Sequence, residues 1–307
     1  MKKVFIDGSA GTTGLRIRER LAERTDLSLT VLPEEDRKNI KRRIEAIRES
    51  DVAFLCLPDA AAVEIVEYID DSDTVIIDTS TAHRTDVEWC YGFAELQGMR
   101  EKIQESRRIA NPGCHASGFI ALVEPLVRIG IIPDEANLCC FSLTGYSGGG
   151  KKMITEYETE NRNVLLDAPR QYGLSQQHKH LKEMKKISHL KNSPVFCPIV
   201  SDYYSGMEVT VPLFASQING NLQDICSVYK SYYQGRIVHF EDNPDNDGLL
   251  SAGALSGKDS MSISAFGNDE RIILTARFDN LGKGASGAAI QNMNIVLGVE
   301  ETCGLNL

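Results

Sequence analysis

The sequence has no CxxC pair, no HExxH, no internal repeat and no long unbroken apolar run. Without CxxC, the eight cysteines (Cys56, Cys90, Cys114, Cys139, Cys140, Cys197, Cys226 and Cys303) give neither a zinc ribbon nor a thioredoxin-type redox pair. Their irregular spacing in a chain this large reads as small buried hydrophobes in a reducing compartment, so a cytoplasmic protein is expected. No metal is expected either, because His178 and His180 are two apart and do not share a helix face. The most apolar stretch, residues 119–132, is broken by Glu124, Pro125 and Arg128, so no membrane span is predicted. The N-terminus reaches Asp7 before an apolar signal region could form. Basic residues are in deficit: 33 Lys and Arg against 43 Asp and Glu, a net charge of −10. A nucleic-acid partner is therefore excluded, and an anionic small substrate needs a local cluster of Lys or Arg.

What remains is an ordinary globular composition, 42% hydrophobic and 25% charged over 307 residues, long enough for two domains. Residues 3–7, 27–32, 51–57, 74–78 and 107–110 read as strands, and residues 12–23, 40–49 and 60–69 as the helices between them. That alternation predicts a parallel sheet covered on both faces. From Cys114 the texture changes. A long helix is predicted over 115–129, then strands over 137–144, 207–213, 236–239, 261–266 and 272–278, with helices over 179–186 and 222–233. The fold class is α/β followed by α+β, a Rossmann-type unit with a second domain of mixed sheet and helices. The last helix is predicted over 285–297.

Four segments carry chemistry. Gly8-Ser-Ala-Gly11-Thr-Thr-Gly14 sits between the first strand and first helix, where glycines let the backbone approach a pyrophosphate held by the helix N-terminus. Gly8, Ser9, Gly11, Thr12, Thr13 and Gly14 are its candidate cofactor contacts. After the second strand, Glu34 and Glu35 suit the ribose of NAD, while Arg37 and Lys38 suit the extra phosphate of NADP. In Asn111-Pro-Gly-Cys114, chain-breaking residues place Cys114 at a helix N-terminus, where the macrodipole favours a thiolate. Gly145-Tyr-Ser147-Gly-Gly-Gly-Lys151-Lys152 nearly matches a P-loop, but Lys152 stands where Ser or Thr should hold magnesium, so an NTPase is rejected and an anion-holding loop retained. In His178-Lys-His180-Leu-Lys-Glu183 one histidine is a candidate general base, against the plainer reading of a charged helix surface. His83, His189 and His239 have no evident supporting neighbours, and His115 is expected to point away from Cys114.

Taken in order, the glycine motif, Asp78-Thr-Ser-Thr-Ala-His-Arg84, Asn111-Pro-Gly-Cys114, Ser147-Gly-Gly-Gly-Lys151 and Asn280-Leu-Gly-Lys283-Gly-Ala-Ser-Gly287-Ala-Ala-Ile-Gln291-Asn-Met-Asn294 resemble the N-acetyl-γ-glutamyl-phosphate reductase family, in its shorter form, over essentially the whole chain. The family is related to aspartate-semialdehyde dehydrogenase. The resemblance implies NADPH-dependent reduction of a small-molecule acyl phosphate, N-acetyl-L-glutamyl 5-phosphate, to the semialdehyde of arginine biosynthesis, by a homo-oligomer. It implies Cys114 as nucleophile and His180 as acid/base, with Glu183 the matching acid and His178 the fallback. Arg84 and Lys151 become candidate anion holders; Asn111, Ser147 and Gly148 line the substrate; Gly284 lies on the nicotinamide side. The longer form carries an acidic residue and Phe before the arginine that matches Arg84, and Arg where Lys151 stands. Residues 1–112 are then expected as the NADP-binding domain, 113–284 as the catalytic domain and 285–307 as a C-terminal helix returning to the first. Alternatives are an aspartate-semialdehyde dehydrogenase-type reductase, a non-catalytic NADP-binding sensor and a cysteine hydrolase.

Overall fold

The computed structural model describes every residue except Ala10 and Asn246, so Ala10 of the glycine motif lies outside the described residues. The chain divides into two compact units, Met1–Pro112 with Ala285–Leu305, and Gly113–Gly284 with Asn306–Leu307.

In the first unit the elements run β1 (Lys2–Asp7), α1 (Thr12–Leu21), β2 (Leu27–Thr30), α2 (Ile40–Arg48), β3 (Val52–Leu55), α3 (Asp59–Glu67), β4 (Val75–Asp78), β5 (Cys90–Tyr91), α4 (Met99–Glu105) and β6 (Arg108–Ala110). Every strand pairing is parallel, in the order β2-β1-β3-β4-β6-β5. Alternate residues of β1 feed opposite faces. Val4 and Ile6 pack with Ile17 and Leu21 of α1 and with Ala289, Ile290 and Met293 near the C-terminus, while Phe5 packs with Ala46, Ile47 and Ile65. A sheet buried on both faces needs apolar runs, and those runs are what the sequence displays. The strand order changes direction at β1, and the glycine motif follows that strand, at the switch point where open parallel sheets bind ligands. β5 and α4 were not foreseen. β5 is two residues long, and α4 (MREKIQE) buries only Ile103, too little to show a helical stripe.

The second unit runs α5 (Cys114–Arg128), β7 (Cys139–Gly145), α6 (Gly150–Glu158), β8 (Arg170–Gln171), α7 (His180–Ile187), β9 (Val195–Ser201), β10 (Met207–Phe214), α8 (Leu222–Tyr232), β11 (Val238–Phe240), β12 (Met261–Gly267) and β13 (Arg271–Phe278). A π-helical turn over Gly282–Ser286 then leads into α9 (Gly287–Leu297), which belongs to the first unit. The sheet order is β11-β12-β13-β10-β7-β9-β8. β11/β12 and β7/β9 are parallel and the other pairings antiparallel, so the mixed sheet read from the sequence is borne out. Three elements were not foreseen here: α6, the two-residue β8, and β9. Pro198 inside β9 masks the strand in the sequence, and a run of glycines hides the start of α6.

α5 carries Cys114 and is buried from His115 through Val127. Such a helix is apolar all round, and its position is set by close packing. At Gly118 a Cβ would lie 2.5 Å from Val209 of β10, so the helix rests directly on the sheet. Pro125 inside α5 leaves the carbonyl of Ala121 without its usual N–H partner. The Tyr233 hydroxyl donates to that oxygen at 2.6 Å, and the Tyr229 hydroxyl to the Leu122 carbonyl at 2.5 Å. A proline that should weaken the helix is thus compensated from α8. Among the described residues no helix is long and apolar enough to cross a membrane.

Candidate active site

The glycine motif turns sharply after β1. Gly8 has φ +82°, and a Cβ there would lie 2.2 Å from the Cys56 carbonyl oxygen; a Cβ on Gly14 would lie 2.6 Å from the Gly8 carbonyl oxygen. Both positions exclude side chains so that α1 can close onto the loop. The Gly11 N–H donates to Gly8 O at 3.0 Å, and Gly11 caps α1 with no side-chain acceptor. The backbone at Thr12 and Thr13 therefore presents an N-terminus of the kind that takes a phosphate. Ser9 is buried in the turn. Beyond β2, Lys38, Glu34 and Glu35 are exposed, whereas Arg37 is half-buried and its Nε is buried without a hydrogen-bond partner. An orphaned guanidinium nitrogen is what a phosphate would satisfy, and a dinucleotide phosphate fits this loop. Arg16 of α1, not singled out in the sequence, also has a buried unpartnered nitrogen, Nη1.

At the ends of β4 and β6 lie Arg84 and Asn111, both buried. Arg84 donates from Nε to the Asn111 carbonyl at 2.9 Å and from Nη2 to the Thr79 carbonyl at 3.0 Å. The Asn111 amide donates to Ala285 O at 3.0 Å and accepts from Asn292 at 3.2 Å. Its side chain is engaged at both ends, tying β6 to the start of the C-terminal helix.

In the second unit Cys114 is the first residue of α5 and half-buried. The helix is capped by Gly113 with no side-chain acceptor, so its positive end faces the thiol. A Cβ on Gly284 would lie 2.9 Å from the Cys114 Cβ, so Gly284 keeps space around the cysteine. Glu183, buried on α7, accepts the Gly113 N–H at 2.8 Å. That carboxylate fixes the backbone one residue before Cys114.

Three histidines meet near this point. His180, the first residue of α7, lies 4.7 Å from His178 and 5.6 Å from His115, ring centroid to centroid. His115 was set aside in the sequence, yet its Nδ1 bonds Ser142 at 2.7 Å and its Nε2 bonds the Tyr172 hydroxyl at 2.6 Å. Burial pushes the His115 pKa down to about 3, so this ring stays neutral. Burial, with Lys179 adding to it, also lowers His178, whose Nδ1 accepts the His180 backbone N–H at 3.2 Å. Burial raises the Tyr172 hydroxyl, helped by the neighbouring Cys114. The charged-surface reading of this segment is therefore corrected: His180 and Glu183 are buried. No sequence spacing announces Ser142 and Tyr172, which lie 27 and 57 residues from His115.

The second glycine loop follows β7. Ser147 is buried, donates its N–H to the Tyr204 carbonyl at 3.0 Å and accepts Asn280 Nδ2 at 3.0 Å. Gly148 is exposed, with a Cβ reaching no closer than 3.4 Å to any neighbour, and Lys151 is exposed on the first turn of α6. His83 corrects another reading. It is buried, bonded to Asp78 and stacked on Trp89.

A parallel dinucleotide-type sheet and a separate mixed-sheet unit that opens on a helix-terminal cysteine define the semialdehyde dehydrogenase class. Two family profiles match: "Semialdehyde dehydrogenase, NAD binding domain" over residues 3–106, and "Semialdehyde dehydrogenase, dimerisation domain" over residues 114–280. Solved structures share this fold. Aspartate semialdehyde dehydrogenase II of Vibrio cholerae, complexed with ASA, is 15% identical with a TM-score of 0.73, covering 97% of this chain and 98% of its own. The Candida albicans aspartate semialdehyde dehydrogenase with NADP is 15% identical with a TM-score of 0.68, covering 97% and 98%. Proteins named N-acetyl-gamma-glutamyl-phosphate reductase from Brucella ovis and Brucella melitensis are each 45% identical over 96% of this chain and 99% of their own length. The chain belongs to the N-acetyl-γ-glutamyl-phosphate reductase family.

Proposed function

We propose that this chain reduces N-acetyl-L-glutamyl 5-phosphate to N-acetyl-L-glutamate 5-semialdehyde with NADPH, releasing phosphate, as a step of arginine biosynthesis. The observation that carries the reading is Cys114 as the first residue of α5, with three histidines gathered beside that helix start. The Cys114 sulfur attacks the acyl carbon, the bond to phosphate oxygen breaks, and a thioester forms as phosphate leaves. When bound at the first glycine loop, NADPH supplies the hydride that reduces the thioester carbonyl. His180 donates a proton to the oxyanion, giving a thiohemiacetal on Cys114. It then takes that proton back as the carbon–sulfur bond breaks, so aldehyde departs and the thiolate is restored. His178, whose own ring is fixed by accepting the His180 backbone N–H, is the fallback for that proton. Arg84 and Lys151 hold the phosphate or carboxylate. Asn111 in the first unit and Ser147 with Gly148 in the second are the further substrate contacts, and the first two side chains are held by bonds within their own units.

Gly8, Ser9, Gly11, Thr12, Thr13 and Gly14 take the pyrophosphate, Arg37 and Lys38 the 2′-phosphate, and Gly284 leaves room on the nicotinamide side. The test is NADPH formation, followed by absorbance, from N-acetylglutamate semialdehyde, phosphate and NADP, with aspartate semialdehyde as the comparison substrate. Equal or better turnover of aspartate semialdehyde would remove the substrate assignment. A kcat/KM ratio favouring NADH would remove the role of Arg37 and Lys38.

The outward face of the second unit's sheet exposes Phe141, Val195, Phe214 and Ile273, which supports a homo-oligomer built on that face. Sedimentation as a monomer at micromolar concentration would remove this reading. The eight free thiols suit a cytoplasmic location.

A further inference from the structure

The segment joining β4 to Arg84 is laced more tightly than a surface loop needs. Thr79 donates its N–H and its hydroxyl to the Leu55 carbonyl, at 2.9 and 3.0 Å. Thr81 is bound through its N–H and hydroxyl to the two oxygens of Asp59, at 2.9 and 2.7 Å. The centre of the lacing is Asp78, the last residue of β4, with no exposed surface. Its Oδ1 accepts the Ser80 N–H at 2.9 Å; its Oδ2 accepts the Ser80 hydroxyl at 2.7 Å and His83 Nδ1 at 2.6 Å. A carboxylate only accepts, so His83 carries its hydrogen on Nδ1. The other side of that ring is filled by Trp89, stacked at 4.0 Å and 14°. Arg84 follows directly, and its guanidinium grips Thr79 O at the start of the same segment and Asn111 O on the neighbouring strand.

A buried carboxylate takes its bonds only where the surroundings over-determine them. Here the ring at 83 closes a loop onto its own first residue and leaves the next residue's guanidinium no choice of direction. We propose that His83 is a positioning residue: through its bond to Asp78 it fixes the direction of the Arg84 guanidinium, and so sets the affinity for the phosphate group that Arg84 holds. This rests on the reading of Arg84 as a phosphate holder. A guanidinium recognises phosphate through a planar fork, so its direction matters as much as its charge.

The experiment separates ring from hydrogen bond. His83→Phe keeps a ring on Trp89 but cannot donate to Asp78. His83→Asn can place an amide N–H where Nδ1 stood but loses the stack. In the direction that consumes semialdehyde, phosphate and NADP, KM for inorganic phosphate should rise about tenfold in His83→Phe, the size expected for a lost hydrogen bond to a charged group. KM for NADP should not move, and His83→Asn should restore the wild-type phosphate KM. Asp78→Leu, close in size, removes the acceptor itself and should match His83→Phe. Should either variant fold poorly, the other decides. Three outcomes overturn the proposal: an unchanged phosphate KM in His83→Phe, an equal rise in both His83 variants, or a parallel rise in KM for NADP. Arg84→Gln separates the two layers. If it raises phosphate KM while His83→Phe does not, only the role of His83 fails. If Arg84→Gln leaves phosphate KM alone, the phosphate reading of Arg84 fails and the proposal falls with it.

Discussion

The two units reach their functional geometry by opposite routes. The first builds its loop by leaving atoms out: Gly8 and Gly14 are positions where one more carbon would strike a backbone oxygen at 2.2 and 2.6 Å. The second builds by placing side chains together: a thiol at a helix start, and three imidazoles and a phenol within about 6 Å of their neighbours. Its own glycine loop makes the contrast sharper. A Cβ on Gly148 would come no closer than 3.4 Å to its neighbours, an ordinary contact, while one on Gly149 would press on the Met153 side chain at 2.5–2.7 Å. Two glycine loops that look alike in sequence thus differ in kind. In the first, Gly8 and Gly14 both close onto backbone at the turn itself. In the second, that approach is made at its start by Gly145, where a Cβ would lie 2.5 Å from the Tyr204 carbonyl oxygen. Gly148 beyond it sits beside the Ser147–Asn280 bond without such a clash. Binding by backbone is broken by adding an atom, whereas chemistry by side chains is broken by taking one away.

The largest expected effect is on the chemical side. Cys114→Ser should lower turnover on the order of 10⁴-fold or more, because an alcohol neither ionises nor leaves as a thiolate does. NADPH binding, followed by fluorescence titration, should survive; loss of binding with the activity would erase the contrast between the units. Next, His180→Asn should cost roughly 10²–10⁴-fold in kcat, the span for a positioned acid or base. His178→Asn should cost much less. A reversed order would move the proton to His178.

Smaller again is the effect of adding a carbon. Gly8→Ala should weaken NADPH at least about tenfold, since a residue with a Cβ at positive φ is strained even before the clash. Gly148→Ala should leave NADPH binding untouched. Equal losses in the two variants would put the two loops back in one class.

The smallest effect is on stability. His115 is held neutral, with its pKa pushed down from 6.5 to about 3 by burial. Between those values the unfolded chain takes up a proton that the folded one refuses. Stability should therefore be unaffected by this group above about pH 6.5 and fall as pH drops below it, by up to about 1.4 kcal/mol per pH unit. Urea midpoints at pH 7 and pH 4.5 should lie further apart in wild type than in His115→Gln. Equal shifts would mean that His115 is not the group responsible.

Legibility followed locality. The strands of the first unit are apolar runs because both faces of the sheet are covered, and the sequence displays them directly. The position of Cys114 at a helix start was readable from Asn111-Pro-Gly, three residues that break the chain just before it. What escaped was carried by distant partners or by residues that blur a pattern. Pro198 hid β9, and glycines hid α6. Glu183 reaches Gly113 from 70 residues away. His83 looked isolated because its value lies in a bond to Asp78 and a ring face on Trp89, neither of which has a sequence period.

That ring face has an optical consequence. Trp89 is the only tryptophan in the chain and lies in the first unit, while eight of the ten tyrosines lie in the second. Light absorbed at the red edge of the protein spectrum is therefore taken up almost entirely by the first unit. Its emission comes from an indole resting against an imidazole. The wild-type chain carries a reporter that watches the β4 end alone, and a tyrosine signal that watches the other unit, with no label attached.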